Sequence, residues 1–257
     1  FLRGPAVQPL PCGRGLDGRV AGGPHRVFAL ANRRMLSRVR TGPSPCSAGV
    51  AYNPRMAAEK RQTCWGLADE LMAQYHDLEW GVPCHNDREL FERLMLEGFQ
   101  AGLSWSTILN KRENFRAAFD DWVPLLVARY TDEDIERLLS DPGIVRNRLK
   151  VVGAVRNARA FLKVQEEFES FDAYIWQFAP RVMPDAPVPA SWKDIPSRTE
   201  ESDTMSRALQ KRGFTFVGST ICYAFMQSVG MVNDHLSGCP ARTAVPYRTN
   251  EGRQASF

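Results

Sequence analysis

The chain has 257 residues, of which 44% are hydrophobic and 24% are charged, and its formal net charge is +4. This length is sufficient for a large hydrophobic core, and the composition excludes a small disulfide-stabilised protein, a fibrous protein and a wholly disordered chain. The charge is uneven, because residues 1–58 hold nine Arg and one acid, Asp17, whereas the rest of the chain carries 24 bases and 28 acids. The positive net charge therefore gives no argument that the rest of the chain binds nucleic acid.

The N-terminal segment, residues 1–58, is rich in Arg, Gly, Pro and Ala and has no sustained hydrophobic period. Such a segment cannot bury enough apolar surface to offset its ordering entropy, so we expect it to be disordered. Two interpretations stay open. A genuine targeting segment, such as an Arg-rich transit peptide with few acids, would direct the protein to an organelle or the nucleus. Alternatively, the natural start lies near Met56, and a bacterial protein would then be cytoplasmic.

From Glu59 onward the pattern is helical, with little of the alternation that strands show. Helix starts are predicted at Asn86–Glu89, which has the form of a capping box, at Ser104, and at Thr131–Asp134. The predicted helices cover residues 67–76, 87–98, 132–139 and 148–168, then 202–212 and a last one from about 220 that ends at Gly230. We predict one all-α domain over residues 59–243, with an ordered Pro-rich loop or hinge at 179–199 and a flexible tail at 244–257.

Residues 213–233 contain no charged side chain and could be mistaken for a membrane span. Polar residues and three glycines interrupt this stretch, so it predicts a short strand-like piece followed by a buried helix. We therefore expect a soluble, intracellular protein with no membrane partner.

Two cysteines and two histidines could bind a metal: Cys64, His76, His235 and Cys239. Two thiolates and two imidazoles would complete a tetrahedral zinc site with no open position, which is typical of structural zinc. The spacing of the last two suits a local half-site, whereas the spacing of the first two is weak evidence. Two unrelated Cys/His pairs are the alternative. If zinc is bound, it joins the two ends of the domain across a long loop.

The segment 141–150 lies between two helical patterns and contains the turn signal Pro142-Gly143. A helix, a tight hairpin and a second helix would direct backbone N–H groups at an anion. Arg146, Arg148 and Lys150 surround that point, which suits contacts to DNA phosphates. The alternative is an ordinary corner between two helices with a solvated basic surface.

A third group combines aromatic side chains with one acid. Glu97 lies at the end of an otherwise apolar helix, where a carboxylate is costly without a partner. Tyr75, Trp80 and Trp105 flank it in the sequence, and aromatic faces attract a cationic ring. The alternative is a set of core aromatics beside a helix-end carboxylate.

Five ordered runs cover most of the region from residue 63 to 239: YHDLEWGVP at 75–83, LEGFQAGLSWSTIL at 96–109, KRENF at 111–115, GIVRNRLK at 143–150 and KRGFTFVGSTICYAFMQSVGMVNDH at 211–235. In these runs the chain resembles the DNA-3-methyladenine glycosylase I family of the helix-hairpin-helix glycosylase superfamily. One departure is that Trp65 directly follows Cys64, where the family usually has Cys-Gly-Trp.

The resemblance implies a monomeric enzyme that hydrolyses the N-glycosidic bond of 3-methyladenine in alkylated double-stranded DNA during base excision repair, leaving an abasic site and 3-methyladenine as product. It implies an all-α helix-hairpin-helix glycosylase fold with structural zinc held by Cys64, His76, His235 and Cys239. Glu97 matches the carboxylate that contacts the extruded base and Trp105 the ring on which the base stacks. The resemblance also implies that the base contacts Tyr75, Trp80 and Trp65. It implies that Leu103 fills the gap left in the duplex and that the DNA is bound by Arg146, Arg148 and Lys150.

Two other classes of function stay open. A bifunctional glycosylase/lyase of the same superfamily would need a Lys nucleophile at the hairpin and usually a four-Cys iron–sulfur cluster. A zinc-stabilised DNA-binding module without catalytic activity would lack the pocket residues. Release of free 3-methyladenine with an unnicked backbone separates the three classes.

Overall fold

The computed structural model describes residues 64–65, 69–181 and 187–244. The segment predicted to be disordered, 1–58, lies outside these residues, as does all of the predicted tail from 245 onward. Every regular element in the described part is a helix, in agreement with the predicted all-α class. None of the described helices is long and apolar enough to cross a membrane.

The α-helices are numbered here in chain order: α1 Glu70–Leu78, α2 Asp87–Gln100, α3 Trp105–Asn110, α4 Arg112–Ala118, α5 Pro124–Val127, α6 Asp132–Ser140, α7 Arg148–Phe168, α8 Phe171–Ile175, α9 Glu200–Lys211, α10 Ser219–Ser228 and α11 Ala241–Ala244. Three short 3₁₀ helices lie between them, at Asp120–Trp122, Trp176–Phe178 and Trp192–Asp194.

Local side-chain caps fix most helix starts. The side chains of Asn86 and Ser104 accept hydrogen bonds from the third backbone N–H of α2 and α3. Thr131 and Asp134 form the predicted capping box of α6. At α2 only half of the predicted box is seen, because the Glu89 carboxylate instead accepts from the Cys84 thiol at 3.7 Å.

Glycines mark the ends of two helices. Gly213 and Gly230 follow α9 and α10 with φ of +91° and +73°, a conformation that L side chains rarely adopt. The predicted bounds of α7 are confirmed, whereas α1 starts later than predicted and α9 starts earlier, because Asp69 and Thr199 provide their N-caps. The strand-like piece predicted after Gly213 was wrong, since residues 213–218 are irregular.

The core is built around α2, which packs against α7 and α10 and is buried from Glu89 to Phe99. Phe91 and Phe99 of α2 pack against aromatic side chains on or next to α4, α7 and the first 3₁₀ helix: Phe115, Phe119, Trp122 and Phe161. Helix α2 is therefore a rigid support, and the residues at its C-terminal end can be held in fixed positions.

Candidate active site

The two Cys/His pairs meet in one buried cluster. The ligand atoms of Cys64, His76, His235 and Cys239 all lie within 4.8 Å of one another, and each residue is at most 3% exposed. Its hydrogen bond with the Cys64 thiol, and then those with the imidazoles of His235 and His76, hold the pKa of the Cys239 thiol far below its ordinary value. The alternative of two unrelated pairs does not fit this arrangement.

The distances in the cluster match tetrahedral zinc. The Cys64 and Cys239 sulfurs each lie 3.6 Å from Nδ1 of His235, and the Cys239 sulfur lies 3.6 Å from Nε2 of His76. With Zn–S bonds of about 2.3 Å and Zn–N bonds of about 2.05 Å, a tetrahedral ion would hold sulfur and nitrogen about 3.6 Å apart. These three sulfur–nitrogen distances, and the donor set of two thiols and two imidazoles, therefore fit a tetrahedral zinc ion.

The remaining nitrogen of each imidazole is also bonded. Nδ1 of His76 lies 2.9 Å from the Asp77 carboxylate, and Nε2 of His235 lies 3.0 Å from the Trp80 carbonyl oxygen. The backbone N–H of Leu236 donates to the Cys64 sulfur at 3.1 Å. Partners of this kind fix the orientation of imidazoles and thiolates that bind metals.

A cavity of about 180 Å³ lies beside this cluster. Its walls come from α1, the end of α2, the start of α3, α10 and the second half of the Pro-rich segment. Half of the side chains that line it are aromatic, and the rest include one carboxylate and two amides: Trp65, Met72, Tyr75, Trp80, Glu97, Gln100, Trp105, Trp192, Ala224 and Gln227. The structure thus brings the predicted pocket residues Tyr75, Trp80, Trp105 and Trp65 together around Glu97.

The aromatic rings form a continuous wall. Trp105 and Tyr75 have ring centroids 5.1 Å apart, Tyr75 and Trp65 are 5.9 Å apart, and Trp65 contacts Trp80 edge-on at 5.4 Å. Trp80 continues to Trp192 at 6.3 Å. A planar, electron-poor ring in the cavity would find aromatic faces on several sides.

Glu97 is the acid of this cavity and is only 5% exposed. Burial raises the pKa of its carboxyl to about 8, although the charge of Arg93 and the hydroxyl of Ser228 oppose the shift. The carboxyl is therefore poised to change protonation near neutral pH when a cation enters. Burial, with the nearby Glu97 charge, also raises the pKa of Tyr75 above its ordinary range, so this phenol stays neutral.

Behind the cavity lies a set of buried charges that sequence reasoning missed. Arg112 binds the Glu79 carboxylate through two nitrogens at 2.7 and 2.9 Å, and this pair holds the pKa of Glu79 low despite its burial. Arg93, one turn before Glu97 on α2, donates to the carbonyl oxygens of Glu79 and Ser228. These bonds join α1, α2, α4 and α10, and they fix the elements that carry the pocket.

The hairpin between α6 and α7 places its three predicted DNA-contacting residues differently. Arg146 and Arg148 are exposed, and Arg148 forms a surface ion pair with Glu136 at 2.6 Å. Lys150 is buried, and its ammonium donates to the carbonyl oxygens of Phe99 and Ala101 at 2.8 and 2.6 Å. The ammonium therefore caps the end of α2, and the phosphate contact of Lys150 stays a prediction that would require these two bonds to be exchanged for a phosphate.

Leu103 lies in the turn between α2 and α3, and Gln100 and Trp105 on either side of this turn line the cavity. It is 41% exposed and follows Gly102, whose φ is +81°. An exposed Leu in such a turn is available to contact a ligand too large to enter the cavity. Sequence reasoning identified Leu103 only through the family resemblance.

Other lining residues had no signal in the sequence. Trp192 lies in the Pro-rich segment, where no periodic pattern exists. Gln227 lies in the charge-free stretch, and its side chain is held by Asp234 at 2.8 Å. A polar residue within an apolar helical run was the only available indication of its role.

Comparison with known proteins agrees with this geometry. A sequence model of the methyladenine glycosylase family matches residues 65–243. DNA-3-methyladenine glycosylase 1 of Escherichia coli (strain K12) is 49% identical over 175 residues, which cover 68% of this chain and 93% of that protein.

Two solved structures have the same fold. A crystal structure of 3-methyladenine DNA glycosylase I superposes with a TM-score of 0.66 at 50% identity and covers 69% of this chain and 98% of that one. A 3-methyladenine DNA glycosylase I from Staphylococcus aureus, studied for its recognition of 3-methyladenine, has a TM-score of 0.64 at 34% identity and covers 68% and 92% of the two chains. The family match spans most of the chain and includes every residue of the candidate site except Cys64, which directly precedes it. The chain therefore belongs to the methyladenine glycosylase family.

Proposed function

We propose that this protein is a DNA repair glycosylase that hydrolyses the N-glycosidic bond of 3-methyladenine in alkylated DNA and leaves an abasic site. The observation that carries the proposal is the buried carboxyl of Glu97 in a cavity walled by Trp and Tyr rings. The relatives from Escherichia coli and Staphylococcus aureus bear the name of the same activity.

The chemistry of the substrate fits this cavity. A base must leave the duplex before an enzyme can cut its glycosidic bond, and alkylation already weakens its hold in the stack. Methylation at N3 makes the adenine cationic, so the glycosidic bond breaks readily and needs little acid catalysis. A pocket of aromatic faces with one carboxylate therefore selects the cation over normal adenine.

Glu97 supplies the charge in this selection. With a pKa of about 8, its carboxyl is mostly protonated at pH 7 in the free protein. A cationic base placed against it favours the ionised form, so the proton leaves and a buried ion pair forms. Normal adenine carries no charge. It would therefore bind beside either the protonated acid or a desolvated carboxylate, and no ion pair would form in either case.

Arg146 and Arg148 are proposed to contact DNA phosphates as part of a helix-hairpin-helix element formed by α6, the turn and α7. The exposed backbone at the start of α7 adds a helix N-terminus, which favours an anion. Leu103 is proposed to fill the gap that the extruded base leaves. Because one chain supplies every residue that lines the cavity, we expect a monomer to be active on double-stranded DNA.

The cofactor is proposed to be one structural zinc ion held by Cys64, His76, His235 and Cys239. Four protein ligands leave no position for water or substrate, so the zinc would supply stability and no chemistry. It would join the segment before α1 to the segment after α10, and Trp80 lies between the two.

The test is to incubate the protein with methylated duplex DNA and to measure released bases and strand breaks. We expect free 3-methyladenine and a backbone that breaks only after alkali. Breaks without alkali would indicate a lyase, which the buried position of Lys150 argues against, since a lysine nucleophile must reach the sugar. Binding of duplex without base release would indicate a DNA-binding module and refute the proposal.

A further inference from the structure

Trp192 is a large aromatic side chain in an unusual position. It lies in the short 3₁₀ helix within the Pro-rich segment and is 43% exposed, yet it lines the same cavity as Glu97 and Trp105. It stands at the end of the aromatic wall, 6.3 Å from Trp80. A half-exposed ring in the wall of a cavity lies at the mouth of that cavity.

The indole of Trp192 is held in place by its surroundings. Its Nε1 donates to the backbone carbonyl oxygen of Cys64. The turn that carries it is fixed by Asp194, whose carboxylate accepts from the backbone N–H groups of Ala190 and Ser191 at 3.0 and 2.8 Å. A further backbone bond, 2.9 Å from the N–H of Ser237 to the carbonyl oxygen of Pro189, ties the segment to the loop before Cys239.

These contacts hold in one orientation an aromatic side chain that is 43% exposed. Fixing a surface tryptophan in one orientation costs side-chain entropy, and the exposed ring gains little from solvent. A ligand that covers the ring recovers that cost, because pre-organised groups bind without further ordering. A flat cationic base is a suitable ligand, since indole is the strongest aromatic partner for cations.

We propose that Trp192 is a substrate-contacting residue, whose indole forms the outer wall of the pocket and packs against the extruded methylated base. This inference rests on the proposed glycosylase function and adds a contact from the Pro-rich segment to it. The indole covers the base where the pocket opens toward solvent, so it favours methylated bases that fill the cavity.

Two substitutions separate the ring from its hydrogen bond. Trp192→Leu removes both the aromatic face and the bond to Cys64, whereas Trp192→Phe keeps an aromatic face and loses only the bond. Trp176→Leu is the matched control, because Trp176 also lies in a 3₁₀ helix and donates from Nε1 to the carbonyl oxygen of a cysteine, Cys84, at 3.0 Å. Trp176 stacks on His85 and does not line the cavity.

The measurements are titration with free 3-methyladenine, single-turnover release of 3-methyladenine from methylated duplex, affinity for unmodified duplex, melting temperature and zinc content. We expect Trp192→Leu to weaken free-base binding and slow release by about three- to tenfold, the range of one aromatic contact. Trp192→Phe and Trp176→Leu should stay within about twofold of wild type. Duplex affinity and zinc content should not change.

Three results would overturn the inference. Wild-type base binding by Trp192→Leu would mean that the ring does not touch the base. Equal losses in the Leu and Phe variants, or a fall in zinc content or melting temperature, would mean that Trp192 acts through Cys64. A loss of duplex affinity alone would assign the ring to the DNA backbone. Failure of the wild-type protein to release 3-methyladenine would instead refute the proposed function, so the two failures are distinguishable.

Discussion

The substitution Glu97→Gln tests the central feature of the pocket, a carboxyl buried among aromatic rings. Glutamine keeps the shape and one hydrogen-bonding oxygen but cannot become negative. We expect the variant to fold and to bind unmodified duplex normally, because the hairpin between α6 and α7 is untouched. Excision of 3-methyladenine should fall by one to two orders of magnitude, equivalent to about 1.4–2.8 kcal/mol of transition-state stabilisation.

The structure makes this loss depend on pH. At pH 7 a carboxyl with a pKa of about 8 must first lose its proton to become negative, which costs about 1.4 kcal/mol. At pH 9 the carboxyl is already ionised and this cost disappears. Because 3-methyladenine in DNA carries its positive charge at both values, the ratio of wild-type to variant rate should grow by about tenfold between pH 7 and pH 9.

The assay is single-turnover excision from methylated duplex at subsaturating enzyme, with spontaneous depurination subtracted at each pH. The wild-type rate should rise through about pH 8, and the Glu97→Gln rate should be flat. A variant as active as wild type would leave Glu97 a structural acid. A large loss of activity with the same ratio of wild-type to variant rate at pH 7 and pH 9 would mean that the Glu97 carboxyl is already ionised in the free protein, contrary to our account.

Stability measurements provide the control. Burial raises the pKa of Glu97 in the folded protein above its ordinary value, so the folded state keeps a proton that the unfolded chain releases. The stability from this group is present below the unfolded pKa of 4.5 and is lost as pH rises toward about 8. The free energy of unfolding of the wild type, measured with urea, should therefore fall across this pH window relative to that of Glu97→Gln. Parallel pH profiles for the two proteins would contradict a buried, protonated carboxyl.

The other predictions concern the metal, the hairpin and the N-terminal segment. Elemental analysis should find one zinc per chain, and Cys239→Ala should lose the zinc and melt at a much lower temperature. Cys222→Ala should keep the zinc, because Cys222 is buried but is not part of the cluster. A folded, active wild-type protein without zinc would refute this prediction. Arg146→Gln should reduce by about one the slope of log affinity for duplex DNA against log salt concentration. Lys150→Gln should leave this slope unchanged and lower the free energy of unfolding by about 1–3 kcal/mol. Equal slopes for Arg146→Gln and the wild type would exclude the phosphate contact of Arg146. Deletion of residues 1–55 should leave excision and melting temperature within error, since the sequence there has no pattern that could pack; a fall in melting temperature would show that the segment docks.

Much of the fold was predictable because its signals are local. The caps at Ser104 and Thr131, and the glycines at 213 and 230, act within one turn of backbone and can be identified in a sequence. The start of α9 was missed because Thr199 caps it from inside a Pro-rich segment that predicts a loop. The strand-like piece after Gly213 was inferred from the polar residues and glycines that interrupt the charge-free stretch, yet the described part of the chain has no strand with which it could pair.

The candidate site was less predictable, because its contacts join distant parts of the chain. Nothing local shows that Trp192 reaches the cavity, since its ring is placed by the carbonyl oxygen of Cys64, 128 residues earlier. Lys150 is a second case. A basic residue at a helix start predicts a phosphate contact, and nothing local shows that its ammonium donates to the carbonyl oxygens of Phe99 and Ala101 at the end of α2.

The Cys/His cluster and the cavity share Trp80, which gives the proposed zinc ion a structural role in the pocket. The Trp80 carbonyl oxygen is bonded to His235, while the Trp80 ring lines the pocket. Nearby, a Cβ at Gly230 would lie 2.5 Å from the backbone nitrogen of Pro83, so the two chain segments are in direct backbone contact. A pocket that must distinguish a methylated base from a normal one tolerates little movement of its rings. Zinc would hold these segments together without occupying the space that the base needs, because none of its four proposed ligands lines the cavity.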